Sequence, residues 1–528
     1  MQFRAIRRVF STSTTLRKGL AMPDHVKKAE SAEDPTVNDM ILYYFHRAID
    51  HIKPNLRKIV DEERLLLSDE LKKFRVEGIL KLISNCTFLA EITYPVKTDC
   101  GGYDHITAYK VHHCMHKTPM FGGILLHPCI TLEDVMGLSA LNTFKSALLS
   151  IPFGGSQGAI RVDPEDYTDN DIQKITRRYI VELLKKNVIG PGIDCGLNDM
   201  NVGHQEISWM TDAYLKTFGS TDINASAIMT GKPTFGGGIH GKMSSVGWGI
   251  FYFLDCLLNK EFILEATCIE PGWKGKTFIV EGFGKVGRNA ALCLKNAGAK
   301  MVGVIEKDSS IFDANGLDPQ DLAAYKFTKK GLKGYPKGKA VPEGEIRSSE
   351  CDILLLCAWH KSIKKSNADS IKAKIVVEGA DAPITPAADK ILRDKKILVV
   401  PDVCASGGSV ASSYIEWLKN VQHVTFGRLP SSVVLDWPCL LEAMNESLKK
   451  SVGEKASILL SEENRQKFFN TSEKDIIRRT LAKNLTDSAC MVTKSAQEHK
   501  LGTNLRIAAY CKAIIRVFKS YQAAGLTV

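Results

Sequence analysis

KTFIVEGFGKVGRNAALCLKNAGAKMVGVIEKD, residues 276–308, decides the fold of the second half of this chain. Residues 277–280 are an apolar run of strand length, followed by Gly282-x-Gly284-x-x-Gly287 and then by a helical pattern. A second apolar run closes on Glu306. The glycine pattern alone is weak evidence. A strand before it, a helix after it and an acid at the end of the next strand together make a dinucleotide-binding βαβ unit. The glycines permit a tight turn and bring a pyrophosphate close to the helix N-terminus, where free N–H groups and the helix dipole favour anions. Glu306 would accept hydrogen bonds from the adenosine ribose hydroxyls and oppose a 2′-phosphate, a preference that Lys307 beside it softens. The expected cofactor is NAD, with NADP admitted, held by Gly282, Phe283, Gly284, Gly287 and Glu306. The bland alternative is the same fold with an empty nucleotide cleft, because fold and occupancy are separate claims.

Downstream, CDILLLCA (351–358), AKIVVEGA (373–380) and KILVVPDV (396–403) read as further strands completing an open parallel sheet. Upstream, SSVGWGIFYFLDCLL (244–258) reads as a helix. Further back, FLAEITYPV and HITAYKV flank the Gly101-Gly102 turn as strands of an antiparallel or mixed sheet. Residues 35–82 place Ile41, Tyr44, Phe45, Ala48 and Ile52 at three- and four-residue spacing, so helices open the folded part. The fold class is α/β: an N-terminal α/β domain over residues 35–232 and a Rossmann-type, doubly wound domain over 233–419. A polar, helix-rich insertion follows over 420–471, then helices over 472–528. The last run places Leu505, Ala508, Ala509, Ile514, Val517 and Phe518 on one side and reads as a packing helix, with membrane-surface binding as the lesser alternative.

At 528 residues the chain exceeds a single compact core. No apolar run reaches the roughly 18–20 residues of a spanning helix, so no membrane insertion is expected. Residues 1–22 carry Arg4, Arg7, Arg8, Arg17 and Lys18 among apolar and hydroxylated residues with no acid before Asp24, the composition of a mitochondrial presequence. Its removal would lower the formal charge from +11 to about +6. The remainder does not call for nucleic acid, and no zinc-finger spacing is present. The fourteen cysteines contain no CxxC pair, and Cys256, Cys293 and Cys357 in apolar contexts read as buried free thiols. His112, His113 and His116 lack a second ligand group, so a structural role is expected and no metal site.

The blocks KTPMFGGI, IPFGGSQG, KITRRYIVELLKKNVIGPGIDCGLNDM, TGKPTFGGGIHGK, VEGFGKVG, KAKIVVEGAD and SYIEWLKN occur in order. In them the chain resembles the glutamate dehydrogenase family, in its animal mitochondrial, hexameric and antenna-bearing form. The resemblance implies that residues 35–232 serve substrate binding and oligomerisation, that 420–471 form an antenna, and that the protein is a hexamer of two stacked trimers in the mitochondrial matrix. It also implies oxidative deamination of glutamate to 2-oxoglutarate and ammonia.

Carried over position by position, the family's site is only partly present. Lys145 matches the lysine that holds the substrate α-carboxylate, Asp199 the proton shuttle, and Ser413 the serine on the side-chain carboxylate. Phe121 stands at the position of the other side-chain lysine, and Leu125 where an arginine is usual. Gln157 stands at the catalytic lysine. An amide has no titration near neutral pH and cannot act as that base. On the cofactor side, Thr230 joins the expected contacts, Asp381 and Ser406 stand where asparagines are usual, Lys242 replaces an arginine and Val246 a threonine. Trp248, Leu292 and Asn296 replace arginines that serve a GTP site in animal enzymes, so phosphate charge would lack its partners there.

The favoured reading is a catalytically impaired homologue that binds nucleotide and acts as a structural or regulatory subunit, as a homo-hexamer or in a mixed hexamer with an active paralogue. The alternative is an active mitochondrial glutamate dehydrogenase with a re-worked site that takes a small-molecule substrate. A dehydrogenase for an apolar amino acid ranks third, since Phe121 and Leu125 can equally be fillers of an abandoned pocket.

Overall fold

The computed structural model describes residues 20–62, 68–426, 437–453, 457, 458, 461 and 472–525. Residues 1–19 of the expected presequence lie outside these, as does much of the expected antenna, within which helix Trp437–Val452 is described. Leu20 and Met22, at the end of the presequence stretch, already pack against the main core.

After a one-turn helix at Asp24–Lys28 come two long helices, α1 (Val37–Asp61) and α2 (Asp69–Ile83). The Thr36 hydroxyl accepts the Asp39 N–H and so starts α1. Its Met40, Ile41, Tyr44, Phe45, Ala48, Ile52 and Leu56 are buried along one stripe, as the spacing requires.

The first sheet has the order β1-β2-β4-β3-β5-β6. Its strands are β1 (Phe88–Lys97), β2 (Tyr103–His112), β3 (Met120–Leu126), β4 (Gly154–Ile160), β5 (Asp194–Asn198) and β6 (Met229–Thr230). β1 and β2 pair antiparallel around the turn at Gly101, whose φ of +89° suits glycine. β3, β4, β5 and β6 run parallel to one another. Helix α3 (Leu132–Leu148) crosses from β3 to β4 and is started by a reciprocal Thr131–Asp134 cap. Nearly every residue of α3 is buried, which is why Lys145 on it is confined. Helices α4 (Asp169–Leu184) and α5 (His204–Thr217) cover β1 and the β5–β6 region.

Helix α6 (Ser245–Leu257) leads into the second sheet, of order β10-β9-β8-β7-β11-β12-β13. Its strands are β7 (Thr277–Glu281), β8 (Lys300–Ile305), β9 (Ser310–Leu317), β10 (Lys339–Ala340), β11 (Ile353–Leu356), β12 (Ile375–Glu378) and β13 (Leu398–Val400). Helix α7 (Lys285–Asn296) joins β7 to β8. Five strands, β8-β7-β11-β12-β13, are parallel, but β9 runs antiparallel to both its neighbours, β8 and β10, and makes the sheet mixed where an open parallel sheet was expected. The four residues between β8 and β9 are too few for a crossover, so the chain must turn back on itself there.

Three helices then tie the sheets together: α8 (Gly407–Val421), α9 (Glu473–Glu498) and α10 (Leu505–Ala524). α10 returns to α1 and α3, with Leu505, Ala508, Ala509, Ile514, Val517 and Phe518 all fully buried. From its first turn Arg506 pairs through both terminal nitrogens with Glu378 at the end of β12, at 2.7 and 2.8 Å, and reaches Asp389 at 3.2 Å. A buried guanidinium held by two carboxylates joins the C-terminal helix to the second sheet. Among the described residues no helix is long and apolar enough to cross a membrane.

The thiols depart from expectation. Cys256, Cys293 and Cys357 are half-buried, each packed against the main core without being enclosed by it. His112 lies 2.6 Å from buried Asp194, and His113 bonds the Thr143 hydroxyl at 2.9 Å, so both are held within the core.

Candidate active site

The carboxyl ends of the parallel strands in both sheets open onto one cavity of about 1060 Å³. Gly282, Gly284, Lys285 and Glu306 line it from the second sheet, and Leu125, Lys145, Gln157 and Asp199 from the first. Asp381, Ser406, Lys242 and Val246 also face it.

The nucleotide side follows from the glycine turn. Gly282 has φ +88°, and a Cβ there would stand 2.6 Å from the Ala358 nitrogen. A Cβ at Gly287 would stand 2.0 Å from the Gly282 carbonyl oxygen, so helix α7 seats against the turn only because that residue is glycine. The Glu306 carboxylate accepts the Phe283 N–H and pairs with Lys326 at 2.8 Å. Burial lowers the pKa of Lys285, at the start of α7. The turn, the helix N-terminus, Lys285 and Glu306 together fit a dinucleotide, with anion donors at one end and a ribose acceptor at the other.

On the opposite wall Gln157, 2 % exposed, has both ends of its amide engaged. Its Oε1 accepts from the Gly123 N–H at 3.1 Å and from Asn142 Nδ2 at 3.0 Å. Its Nε2 donates to Asp199 Oδ2 at 2.9 Å. Since two donors fix the oxygen, the amide NH₂ must face Asp199. Asp199 also accepts the Met200 N–H at 2.8 Å. Burial, reinforced by the negative charge of Asp381, raises its pKa above the usual aspartate value. Lys145 crosses to the other wall and pairs with Asp381 at 2.6 Å.

The apolar substitutions separate in space. Phe121 is fully buried and stacks on Phe153, centroids 4.9 Å apart, while Phe153 meets Tyr414 and Trp417 edge-on. It lies behind the cavity wall and does not line it, whereas Leu125 does. Ser413, Phe283, Gly287 and Thr230 likewise do not line the cavity. The Thr230 hydroxyl bonds the Gly196 carbonyl at 3.4 Å, and Ser413 Oγ accepts from the Lys242 amine.

Lys242 is the residue whose weight the sequence understated. Its Nζ also reaches Ser409 O and Ser412 Oγ, each at 3.2 Å. All three partners are neutral oxygens. Burial, with Lys285 and Lys232 adding like charge against the opposing pull of Glu416, brings its pKa down to about 7. Asn142 was also missed, although it lies one helical turn before Lys145 on α3.

Residues 237–431 match the family model described as Glutamate/Leucine/Phenylalanine/Valine dehydrogenase, and residues 88–216 match the Glu/Leu/Phe/Val dehydrogenase dimerisation domain. The chain is 35% identical over 455 residues to a mitochondrial glutamate dehydrogenase of Dictyostelium discoideum, covering 85% of this chain and 88% of that protein. It is 36% identical over 332 residues to a glutamate dehydrogenase of Thermotoga maritima, covering 63% and 77% respectively. In fold it is similar to the hetero-hexameric glutamate dehydrogenase of Thermus thermophilus in a Leu-bound form. That match has a TM-score of 0.73 at 24% identity and covers 94% of this chain and 99% of that one.

Proposed function

Because the chain belongs to the glutamate dehydrogenase family, we propose that it is a nucleotide-binding member whose own deamination of glutamate is suppressed. The family reaction is NAD(P)-dependent oxidative deamination, in which the bound nicotinamide supplies the hydride acceptor. What this chain's residues contribute is the nucleotide seat at Gly282, Gly284, Lys285 and Glu306, and a proton-handling carboxyl at Asp199.

The observation that carries the proposal is the Gln157 amide. It sits where a base is needed, donates to Asp199 and accepts from Gly123 and Asn142. No proton can be taken there near neutral pH. Lys145 adds to the effect, since its charge is already matched by Asp381. We assign the protein a structural or regulatory role in the mitochondrial matrix, as a hexamer of its own copies or with an active paralogue. The similarity to a mitochondrial enzyme and to a hetero-hexamer supports this assignment. Glu306 favours NAD over NADP, and the domain boundaries are those drawn from the sequence.

A second reading, an active enzyme with a re-worked site, is favoured by Lys242, an amine lining the same cavity with its pKa brought down to about 7. The experiment that separates them is NADH formation by the purified chain, without its presequence, at saturating glutamate and NAD, with nucleotide binding measured in parallel. The expected result is nucleotide binding with turnover far below the roughly 1 s⁻¹ of ordinary enzymes. Turnover at that rate, abolished in Lys242→Met, would establish the second reading instead.

A further inference from the structure

Helices α6 and α9 lie side by side and run in the same direction. Lys474 and Glu473 at the start of α9 stand by Gly241 and His240, Arg478 donates to the Tyr252 hydroxyl at 2.9 Å, and Thr486 and Cys490 stand by Cys256. The last contact brings two sulfurs, 234 positions apart in sequence, to 3.7 Å. The Cys490 side chain is exposed and that of Cys256 is half-buried. Covalent contact at about 2.05 Å needs an approach of less than 2 Å, within reach of side-chain rotation and a small helix adjustment.

We propose that Cys256 and Cys490 form a reversible disulfide, closed by a peroxide-class oxidant, that staples α6 to α9. Exposure decides the order of events. The Cys490 thiolate attacks one peroxide oxygen, the O–O bond breaks, and a sulfenic acid forms with release of hydroxide. The Cys256 sulfur, having given up its proton, then attacks the Cys490 sulfur. The S–S bond forms as the S–O bond breaks, and the leaving hydroxide takes a proton to become water. Two electrons pass from the pair of sulfurs to the peroxide, and a dithiol reverses the step. Burial and the neighbouring Cys490 push the Cys256 thiol up to about 11, which suits it to wait as the resolving partner.

The staple has a consequence at the cavity. Val246, in the first turn of α6, lines the cavity, and α9 is the helix that returns from the 420–471 insertion. Joining them limits how α6 can shift against the C-terminal helices. It also closes a long loop in the unfolded chain, which raises stability.

The test uses the full chain, fully reduced and then exposed to hydrogen peroxide, with non-reducing peptide mass mapping and thermal unfolding. A peptide pair joining Cys256 to Cys490 is expected, lost on adding dithiothreitol and absent from Cys256→Ser and Cys490→Ser. The midpoint should rise by several degrees on oxidation in the natural chain and stay unchanged in both variants. The proposal is overturned if Cys490 accumulates as sulfinic acid or as a mixed disulfide while Cys256 stays a free thiol. It is equally overturned if the exposed Cys100, Cys129 and Cys268 are oxidised and Cys490 is not.

Discussion

Lys145 of the first sheet's domain and Asp381 of the second meet across the cavity at 2.6 Å. The lysine side chain is almost wholly buried while the aspartate is about one-third exposed, so the pair is anchored on the Lys145 side and open to water on the other. A substrate carboxylate that used Lys145 would have to displace a carboxylate already in place. The contact therefore bears on ligand affinity as well as on how the two domains sit together.

Asp381→Asn removes the competing charge and keeps the shape. Affinity for glutamate or 2-oxoglutarate, measured by calorimetry in the presence of NAD, should rise by about tenfold, the lower range for a charge-assisted hydrogen bond. Unchanged affinity would mean that Lys145 does not face the ligand.

Gln157→Lys places an amine beside Asp199. Where general base catalysis is the missing element, restored turnover of about 10²- to 10⁴-fold is expected for the Gln157→Lys, Asp381→Asn double variant, read as NADH formation. The variant breaks the hydrogen bonds to Gly123 and Asn142, so a small loss of stability should accompany the gain.

Phe121 is a packing residue in this fold. Phe121→Ala empties the space against Phe153 and should cost about 3–5 kcal/mol by denaturant titration, with nucleotide binding intact. Phe121→Lys would bury a charge among aromatic rings and should not restore activity.

Lys242 should make stability depend on pH in a definite direction. Its folded pKa of about 7 lies below the ordinary 10.5, so between these values the unfolded chain binds more protons than the folded one. The cost of burying the charge is fully present below pH 7 and is relieved as pH rises towards 10.5. The natural chain should therefore gain stability relative to Lys242→Met across that window. Parallel curves for the two proteins would place the lysine in contact with water.

Much of this was legible in the chain. The β-rich runs either side of Gly101-Gly102 gave two strands and a turn, three- and four-residue spacing gave α1 and α10, and residues 277–306 gave the strand–helix–strand unit, because each depends on contacts between near neighbours. The reversed strand β9 and the short strand β10 beyond it were not read, since Ser310–Leu317 carries glycine and polar residues and takes its pairing from β8.

The amino-acid order by itself determined which groups stand at two positions: an amide at 157 and a phenyl ring at 121 cannot do what an amine does, whatever surrounds them. Tertiary structure alone decided what those residues do instead. It turned Gln157 into a strut between Gly123, Asn142 and Asp199, moved Phe121 behind the wall, matched Lys145 with Asp381, and left Lys242 among neutral oxygens. Each of those outcomes depends on burial and on a partner brought from a different strand, helix or loop. The settings of Gln157 and Phe121 arise when the first sheet packs with its own helices, and the Lys145–Asp381 pair arises only when the two sheets close on one another.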